Sequence, residues 1–388
     1  MSYLRRLSTR SLILVLAAVG AFAAAGAALA LAAGGGGPTP PPKPLDQAIH
    51  DALSAAHPDG VTARVKFTNN LFPSGALQGQ DASALMSGGS GRLWLTSDGR
   101  GRIELQSDAG DAQIVWNATQ ISVYDASSNT VYRAKLPADN SSSGSPEGTG
   151  NPPTLANIDT FLTKLGVHWG LSAAQPTDIA GQPAYSVSAA PQHDGGLLGS
   201  LGLAWDAGNG TPLRVGVYAQ GNSSPVLELT VTDISYGSVS SSDVDVSPPA
   251  GAKVVDLGSN SAGGQDSSTS TVTGLAAVQA AAPFRVVAPD TLVGLPRKDV
   301  RLIDGRTVVA LYGQGLGGIA LVEHTAGGSD SHGGTLSNLP TVSLDGLTAH
   351  ELATQLGTAL QWQSGGTSYV LAGSLPAAAA ETAARAVK

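Results

Sequence analysis

Residues 92–105 read RLWLTSDGRGRIEL, and this segment indicates the architecture of the chain. Apolar and polar residues alternate in 92–96 and again in 102–105, with the two-residue period of half-buried β-strands. Between the two runs, residues 97–99 supply Ser, Asp and Gly, which favour a tight turn. The segment therefore predicts an antiparallel β-hairpin.

Further strands are predicted on both sides of the hairpin by the same alternation. They fall at 64–67, 112–116, 120–124, 130–136, 184–189, 202–206, 213–218 and 226–232. An antiparallel sheet of about ten strands must curl, because twisted open sheets of that size do not stay flat. The expected fold class is α+β, with a strongly curved antiparallel half-barrel sheet and a helical lid.

Two amphipathic helices are predicted to form that lid. In 45–56 and in 155–169, apolar residues recur at steps of three and four positions. Pro58 and Gly60 end the first helix, Thr154 is a suitable N-cap for the second, and the latter ends near Gly166. Lying against the sheet, the helices would either frame an apolar cavity or complete a packed core, and periodicity alone leaves both open.

The N-terminal segment 1–33 predicts export from the cytoplasm. Its first ten residues hold three arginines and no acid, and 12–33 is a run of 22 residues without a charge. That length can cross a hydrocarbon layer of about 30 Å as a helix, with the basic flank in the cytoplasm. Two interpretations remain open: an uncleaved transmembrane anchor, or a signal peptide cleaved after residues 28–30, Ala-Leu-Ala.

Both interpretations place most of the chain outside the cytoplasm. It is either tethered to the cell membrane by a single N-terminal span, with its bulk extracytoplasmic, or secreted or periplasmic after cleavage. Residues 34–44 read GGGGPTPPPKP, a flexible stretch followed by a stiff polyproline spacer. We therefore expect a Gly/Pro tether that holds the next domain, 45–258, away from a membrane surface.

Composition excludes several classes of protein. The chain has 388 residues, a net charge of −8 and no cysteine. Nucleic-acid binding is not expected, because that class needs a basic face. Without cysteine there is no disulfide scaffold, cysteine nucleophile or cysteine-ligated metal site. The 42% hydrophobic content is ample for a folded core.

A smaller α+β domain is predicted at 272–388, after a polar linker at 259–271. The dipeptide at 304–305, Asp-Gly, between strands at 300–303 and 307–312 indicates a type I′ hairpin. A strand at 284–288 and a helix opened by the capping box at 348–351, with Leu352, Leu356 and Leu360 inside it, are expected as well. The remaining predictions here are helices at 275–282 and from Pro376, and strands at 319–323 and 367–372.

The motifs that could indicate catalysis are weak, so no catalytic residue, metal ligand or cofactor is predicted. Residues 313–318 match G-x-G-x-x-G, but the next residues predict a strand where a dinucleotide site needs a helix. His350-Glu351 begins like a zinc-protease helix, yet position 354 is Thr rather than a second histidine ligand. No G-x-S-x-G nucleophile elbow occurs in the sequence. An enzyme is therefore disfavoured.

Three segments carry a resemblance to a known family. They are 203–215 (LAWDAGNGTPLRV), 229–237 (LTVTDISYG) and 248–255 (PPAGAKVV). In order and spacing they resemble the LolA-like lipoprotein carriers and their RseB-like relatives, over about residues 45–258. The resemblance implies an open half-barrel with a helical lid over an apolar cavity, and relatives that carry lipids or lipoproteins or sense envelope stress. The order of the two domains is similar to that of RseB-like regulators.

Two functional hypotheses follow. The first is an exported, non-enzymatic protein that binds a lipid, a lipoprotein acyl chain or another apolar ligand in the half-barrel cavity. The second is an RseB-like sensor that regulates a membrane-bound anti-sigma factor through protein contacts. Four large apolar residues are the candidates to line the cavity, with ordinary core positions as the alternative: Trp94, Trp116, Trp169 and Trp205.

Overall fold

The structure is a computed structural model that describes residues 37–72, 83–136, 153–257, 271–326 and 339–387. The predicted anchor or signal peptide at 1–33 and nearly all of the predicted linker lie outside these residues. The chain forms two compact units. Of the described residues, the first unit holds 37–70, 83–190 and 199–257, and the second holds 71–72, 191–198 and 271–387.

The first unit contains four helices and thirteen strands among its described residues. The helices are α1 (Leu45–Ser54), α2 (Ala84–Ser87), α3 (Leu155–Leu165) and α4 (Ser241–Val244). The strands are β1 (Gly60–Asn69), β2 (Gly89–Thr96), β3 (Gly101–Gln106), β4 (Ala112–Trp116), β5 (Gln120–Asp125), β6 (Thr130–Lys135), β7 (Trp169–Leu171), β8 (Gln175–Ile179), β9 (Gln182–Pro191), β10 (Leu198–Asp206), β11 (Pro212–Ala219), β12 (Pro225–Tyr236) and β13 (Lys253–Asp256).

All thirteen strands belong to one sheet. Its order is β13-β6-β5-β4-β3-β2-β1-β12-β11-β10-β9-β7, with β8 paired to β9. The pairing between β13 and β6 is parallel, and β1 joins the two halves by pairing with both β2 and β12 in antiparallel register. Because the end strands β13 and β7 are not paired with each other, the sheet is not a closed barrel. The α+β class and the large antiparallel sheet are confirmed, and the half-barrel curvature with its helical lid stays a prediction.

Alternation along the strands gives this sheet one apolar face, here called the core face. In β1, Val61, Ala63 and Val65 are buried while the residues between them are exposed. The strand register places Ala63 of β1 beside Leu93 of β2, and Leu93 beside Ile103 of β3, so the apolar pattern continues across neighbouring strands. One buried cluster therefore runs along the core face through β1 to β5 and β8 to β12, and helix α2 packs against it.

The predicted hairpin at 92–105 is confirmed as β2 and β3. Thr96 N donates to Arg100 O over 2.9 Å, and Gly99 has a φ of +81°, a conformation that favours glycine. The predicted helices α1 and α3 are confirmed as well. The Thr154 hydroxyl accepts a hydrogen bond from Asn157 N, which is the expected N-cap, but α3 ends at Leu165 with Gly166 as its C-cap. Extension of that helix to Trp169 is wrong, because Trp169 opens β7.

The second unit is an α+β structure with a nine-stranded sheet. Its order is β14-β16-β17-β18-β22-β21-β20-β19, with β15 paired to β16. The strands are β14 (Thr271–Thr273), β15 (Thr291–Leu292), β16 (Leu295–Ile303), β17 (Thr307–Tyr312), β18 (Ile319–Thr325), β19 (Thr341–Leu344), β20 (Leu347–Thr354), β21 (Gly357–Ser364) and β22 (Thr367–Gly373). Helices α5 (Leu275–Ala281) and α6 (Ala377–Arg385) pack into the same apolar core as these strands.

The Asp-Gly hairpin in the second unit is confirmed. Asp304 and Gly305 have φ values of +53° and +65°, the left-handed pair that a type I′ turn requires. The predicted strand at 284–288 is wrong: these residues are extended coil, and Val287 N donates to the side chain of Glu323 rather than to a neighbouring strand.

The predicted helix from residue 348 is also wrong, since the segment forms β20 and β21. The Thr354 hydroxyl closes the turn between these strands by accepting from Gly357 N over 3.1 Å. Leu352, Leu356 and Leu360 mislead because a step of four residues returns to the same side of a helix and of a strand alike. Across the described residues, no helix combines the length and the apolar character needed to span a membrane.

Candidate functional site

Trp205 lies in a small core between the sheet and helix α1. It is 5% exposed, and its ring centroid lies 6.3 Å from that of Tyr185 on the neighbouring strand β9. Ala48 of α1 packs into the same cluster. The indole Nε1 of Trp205 is buried and has no hydrogen-bond partner among the described residues. A buried donor without a partner is uncommon in folded proteins and marks a position where a ligand atom or water could accept.

The other three tryptophans are half-buried and spread over the sheet. Trp169 lies on β7, which pairs with β9 as β10 does, so Trp169 and Trp205 belong to the same end of the sheet. Trp116 packs on the core face, where a Cβ at Gly101 would overlap its ring. Trp94 points to the opposite face, with the Arg102 guanidinium 5.0 Å from its ring centroid. Trp169 and Trp205 thus lie on strands at one end of the sheet with β9 between them, and Trp94 and Trp116 lie on opposite faces. Lining of a ligand cavity stays a prediction for all four.

Helix α3 leaves part of its apolar side exposed. Leu155, Ile158, Phe161, Leu162 and Leu165 fall on one side of the helix, as helical periodicity predicts. Ile158 is 4% exposed and Leu162 and Leu165 are half-buried, whereas Phe161 is 61% exposed and Leu155 is 38% exposed. The apolar stripe is therefore packed unevenly, which helical periodicity does not predict. Exposed apolar patches are typical of binding surfaces.

Two more exposed apolar residues lie on the elements next to the exposed residues of α3. Val167, just after the helix, is 63% exposed, and Leu53 on α1 is 48% exposed. Helices α1 and α3 contact each other, and His50 Nδ1 lies 3.1 Å from the carbonyl oxygen of Pro153 at the start of α3. We call Leu53, Leu155, Phe161 and Val167 the helical apolar patch.

The described part of the tether, 37–44, lies against the first unit. The Tyr185 hydroxyl donates to Pro41 O over 2.6 Å, and Lys43 Nζ lies 2.5 Å from Asp51 Oδ2 on α1. The hydrogen bond from Lys43 lowers the pKa of the Asp51 carboxyl, and the same contact raises the pKa of Lys43. These contacts hold the chain entering α1 close to the Tyr185–Trp205 core.

Asp206, in the segment that carries the family resemblance, holds a turn together. It is 4% exposed, and its carboxylate accepts from Gly208 N over 2.7 Å and from the Tyr236 hydroxyl over 2.5 Å. Burial and the neighbouring carboxylate raise the pKa of the Tyr236 hydroxyl. The acid therefore fixes the turn between β10 and β11 to the end of β12, which is a structural role.

A groove lies on the face of the sheet opposite the core face. It has a volume of about 270 Å³ and is formed by strands β4 to β6 and by residues 244–248, which begin at the last residue of α4. Its polar side chains include Gln113, Gln120, Ser122, Tyr124 and Arg133. None of these residues stood out in the sequence.

The second unit contains a buried carboxyl group. Glu323 on β18 is 0% exposed; its Oε2 accepts from Val287 N over 2.9 Å, and its Oε1 has no partner among the described residues. Burial raises the pKa of this carboxyl to about 7. Tyr369 is its cross-strand neighbour on β22, and the Trp362 and Tyr369 rings stack with centroids 5.2 Å apart.

The weak motifs occupy ordinary positions. The glycines at 313–318 form a loop that leads from β17 into β18, so a strand follows them as predicted. His350 and Glu351 lie on strand β20. Within the described ranges, no group of three or more His, Cys, Asp or Glu side chains is placed to hold a metal ion.

No protein-family model matches this chain, and no curated protein matches it. Several solved structures are similar to it. A crystal structure of MucB in complex with MucA(peri) is 13% identical, with a TM-score of 0.42 over 89% of this chain and 98% of that chain. The Pseudomonas aeruginosa MucA/MucB complex is 13% identical, with a TM-score of 0.41 over 88% and 96%.

A LolA superfamily protein from Nitrosomonas europaea is 10% identical, with a TM-score of 0.23 over 53% of this chain and 98% of that chain. The chain is thus similar to structures of the LolA and MucB type, as its sequence motifs predicted.

Proposed function

We propose that this chain is an exported, membrane-tethered binding protein of the cell envelope, without catalytic activity, that holds an apolar ligand. The ligand is a lipid or the acyl chain of a lipoprotein. The helical apolar patch carries this proposal, because it places large apolar side chains in water on a helix that is otherwise docked. Burial of such surface stabilises a complex by about 25 cal/mol per Å², with no chemical step.

The acyl chain would lie beside α1, which packs on strands β9 and β10, and beside α3, which contacts α1. Phe161 and Leu155 would cover it from the helices, and Trp169 would contact it from the sheet. The buried Nε1 of Trp205 would then donate to a polar atom of the ligand, such as an ester carbonyl. Binding would move α3 slightly, since Ile158 is its one buried residue.

The N-terminal segment would supply the membrane location. Residues 12–33 are uncharged and basic residues precede them, so the segment either anchors the protein or directs its export. If the anchor is retained, the contacts of Pro41 and Lys43 would fix the end of the tether against the first unit.

Photo-cross-linking in the cells that produce the protein tests this proposal. Cells are fed a fatty acid that carries a diazirine, irradiated, and the full-length protein is mapped by mass spectrometry. We expect lipid adducts on α1, α3 and β7 to β10. Adducts confined to residues 1–33 would contradict the proposal, because an anchor contacts lipid regardless of any binding site.

A matched pair of variants makes the test specific. Phe161→Ser removes an exposed aromatic residue from the helical apolar patch, and Leu316→Ser removes a similarly exposed residue, 53% accessible, from the second unit. We expect Phe161→Ser to lower adduct formation on α3 several-fold and Leu316→Ser to leave it unchanged. Equal effects of both variants would count against the patch.

A second candidate function is regulation of a membrane-bound partner, such as an anti-sigma factor, through protein contacts. The same exposed residues of α3 favour it, because a partner segment could cover them as well as a lipid. A photoreactive amino acid at position 161 separates the two functions. A lipid adduct supports the first proposal, and an adduct to a membrane protein supports the second.

A further inference from the structure

The groove on the opposite face of the first unit has a chemistry unlike that of the helical apolar patch. Val115, Ser122 and Arg133 lie side by side on β4, β5 and β6, in the register of those strands. They alternate with core-face residues such as Ile114, so they face away from the core. Residues 244–248 run across this face and close one side of the groove.

Arg133 is the unusual member of this row. Its Nε is buried, and it has no hydrogen-bond partner among the described residues. In the same ranges, no carboxylate lies within 4.0 Å of its guanidinium. An arginine side chain that is held in a groove without its usual partners retains its donors for a ligand.

The other charged groups around the groove are already engaged. Asp245, which lines it, lies 2.6 Å from Arg100, and Arg100 also binds Asp98 over 2.9 Å. Arg102 donates to Asp243 O over 3.1 Å and pairs with Glu104. Asp245 and Glu104 therefore pair with other arginines. Asp256 on β13 is the registered neighbour of Arg133, but among the described residues no carboxylate lies within 4.0 Å of the Arg133 guanidinium.

We propose that this groove binds an anionic group, a phosphate or a carboxylate, with the Arg133 guanidinium as its principal donor. The planar guanidinium matches either anion with two parallel hydrogen bonds. The Ser122 hydroxyl lines the same groove; it accepts from Gln120 Nε2 over 3.0 Å and keeps its own proton to donate. The proposal goes beyond the apolar ligand, because it uses the opposite part of the sheet and needs no acyl chain.

Nitrogen-15 NMR of arginine side chains in the full-length protein, in neutral detergent micelles, tests this site. The Nε–H signal of Arg133 is identified by its loss in Arg133→Lys. Inorganic phosphate and acetate are added separately, with sodium chloride as the ionic-strength control. We expect a saturable shift of the Arg133 signal, with a dissociation constant of about 1 mM for the preferred anion.

Comparing phosphate with acetate distinguishes a ligand that carries a phosphate group from one that carries a carboxylate group. Tighter binding of phosphate points to a phosphorylated ligand or a lipid headgroup, and tighter binding of acetate points to a carboxylate. The Nε–H signal of Arg64, whose side chain is 69% exposed, serves as an internal control and should not shift saturably.

The backbone amide signal of Ser122 is a second measurement, which can be made in both the wild type and Arg133→Lys. The backbone amide of Ser122 should shift with the anion in the wild type, and Arg133→Lys should weaken that response at least tenfold because lysine cannot make the paired hydrogen bonds. The absence of a saturable shift at both Arg133 and Ser122 with either anion would overturn the proposal. Equal shifts at Arg64 and with sodium chloride would overturn it as well.

Discussion

Glu323 makes the stability of the second unit depend on pH, and the direction of this dependence follows from its pKa. Its carboxyl has an ordinary pKa of 4.5 and a folded-state pKa of about 7, so the folded protein binds more protons than the unfolded chain between these values. Stability is therefore highest below about pH 4.5 for this group and falls as pH rises through 7. The shift corresponds to roughly 3 kcal/mol of unfolding free energy.

We expect Glu323→Gln to remove this dependence. The amide oxygen of the variant can still accept from Val287 N, and glutamine carries no charge into the core. Urea denaturation at about pH 5 and about pH 8 measures the effect. The unfolding free energy of the wild type should fall more than that of the variant between the two pH values. An equal change in unfolding free energy for both proteins would show that Glu323 does not titrate in this range.

Some of these residues could be found from the sequence and others could not. Glu323 follows Ile319 and Leu321 at two-residue steps in a predicted strand, which places an acid on the apolar side. The four tryptophans are candidates because of their size. Whether Trp94 and Trp116 share a face of the sheet depends on strand register, and alternation within a single strand does not give that register.

Helix α3 has a buried apolar residue, Ile158, and an exposed one, Phe161, and substitutions at the two positions should affect stability differently. Ile158→Ala should cost about 2–5 kcal/mol of unfolding free energy, because the side chain is buried in the packed middle of the stripe. Phe161→Ala should change stability by less than about 0.5 kcal/mol, because Phe161 is largely exposed. Thermal unfolding of both variants checks this, and a large loss in Phe161→Ala would show that the residue is part of the folded core.

The elements of the first unit were easier to predict than those of the second. Its strands alternate cleanly and its helices carry recognisable start and stop signals, as Thr154 and Gly166 show. In the second unit, the spacing of Leu352, Leu356 and Leu360 fits both periods, and the capping-box pattern at 348–351 favoured the helix. Pairing with neighbouring strands, which is a tertiary effect, settled the segment as β20 and β21.

For the molecule as a whole, composition and alternation were enough for the fold class, while the ligand depends on what the surface leaves exposed. A large antiparallel sheet with few helices follows from many short alternating runs. The partial docking of α3 does not, because helical periodicity indicates which side is apolar and not whether anything covers it. The predicted domain bounds and the N-terminal anchor stay predictions.

Native mass spectrometry of the full-length protein, purified from its own envelope fraction, tests the central proposal most directly. We expect a complex with one lipid or acyl ligand per chain, whose added mass disappears after organic extraction. The intact mass also shows whether residues 1–30 are retained. A protein that is free of lipid in every preparation, and instead purifies with a membrane protein, would contradict lipid binding and support the regulator.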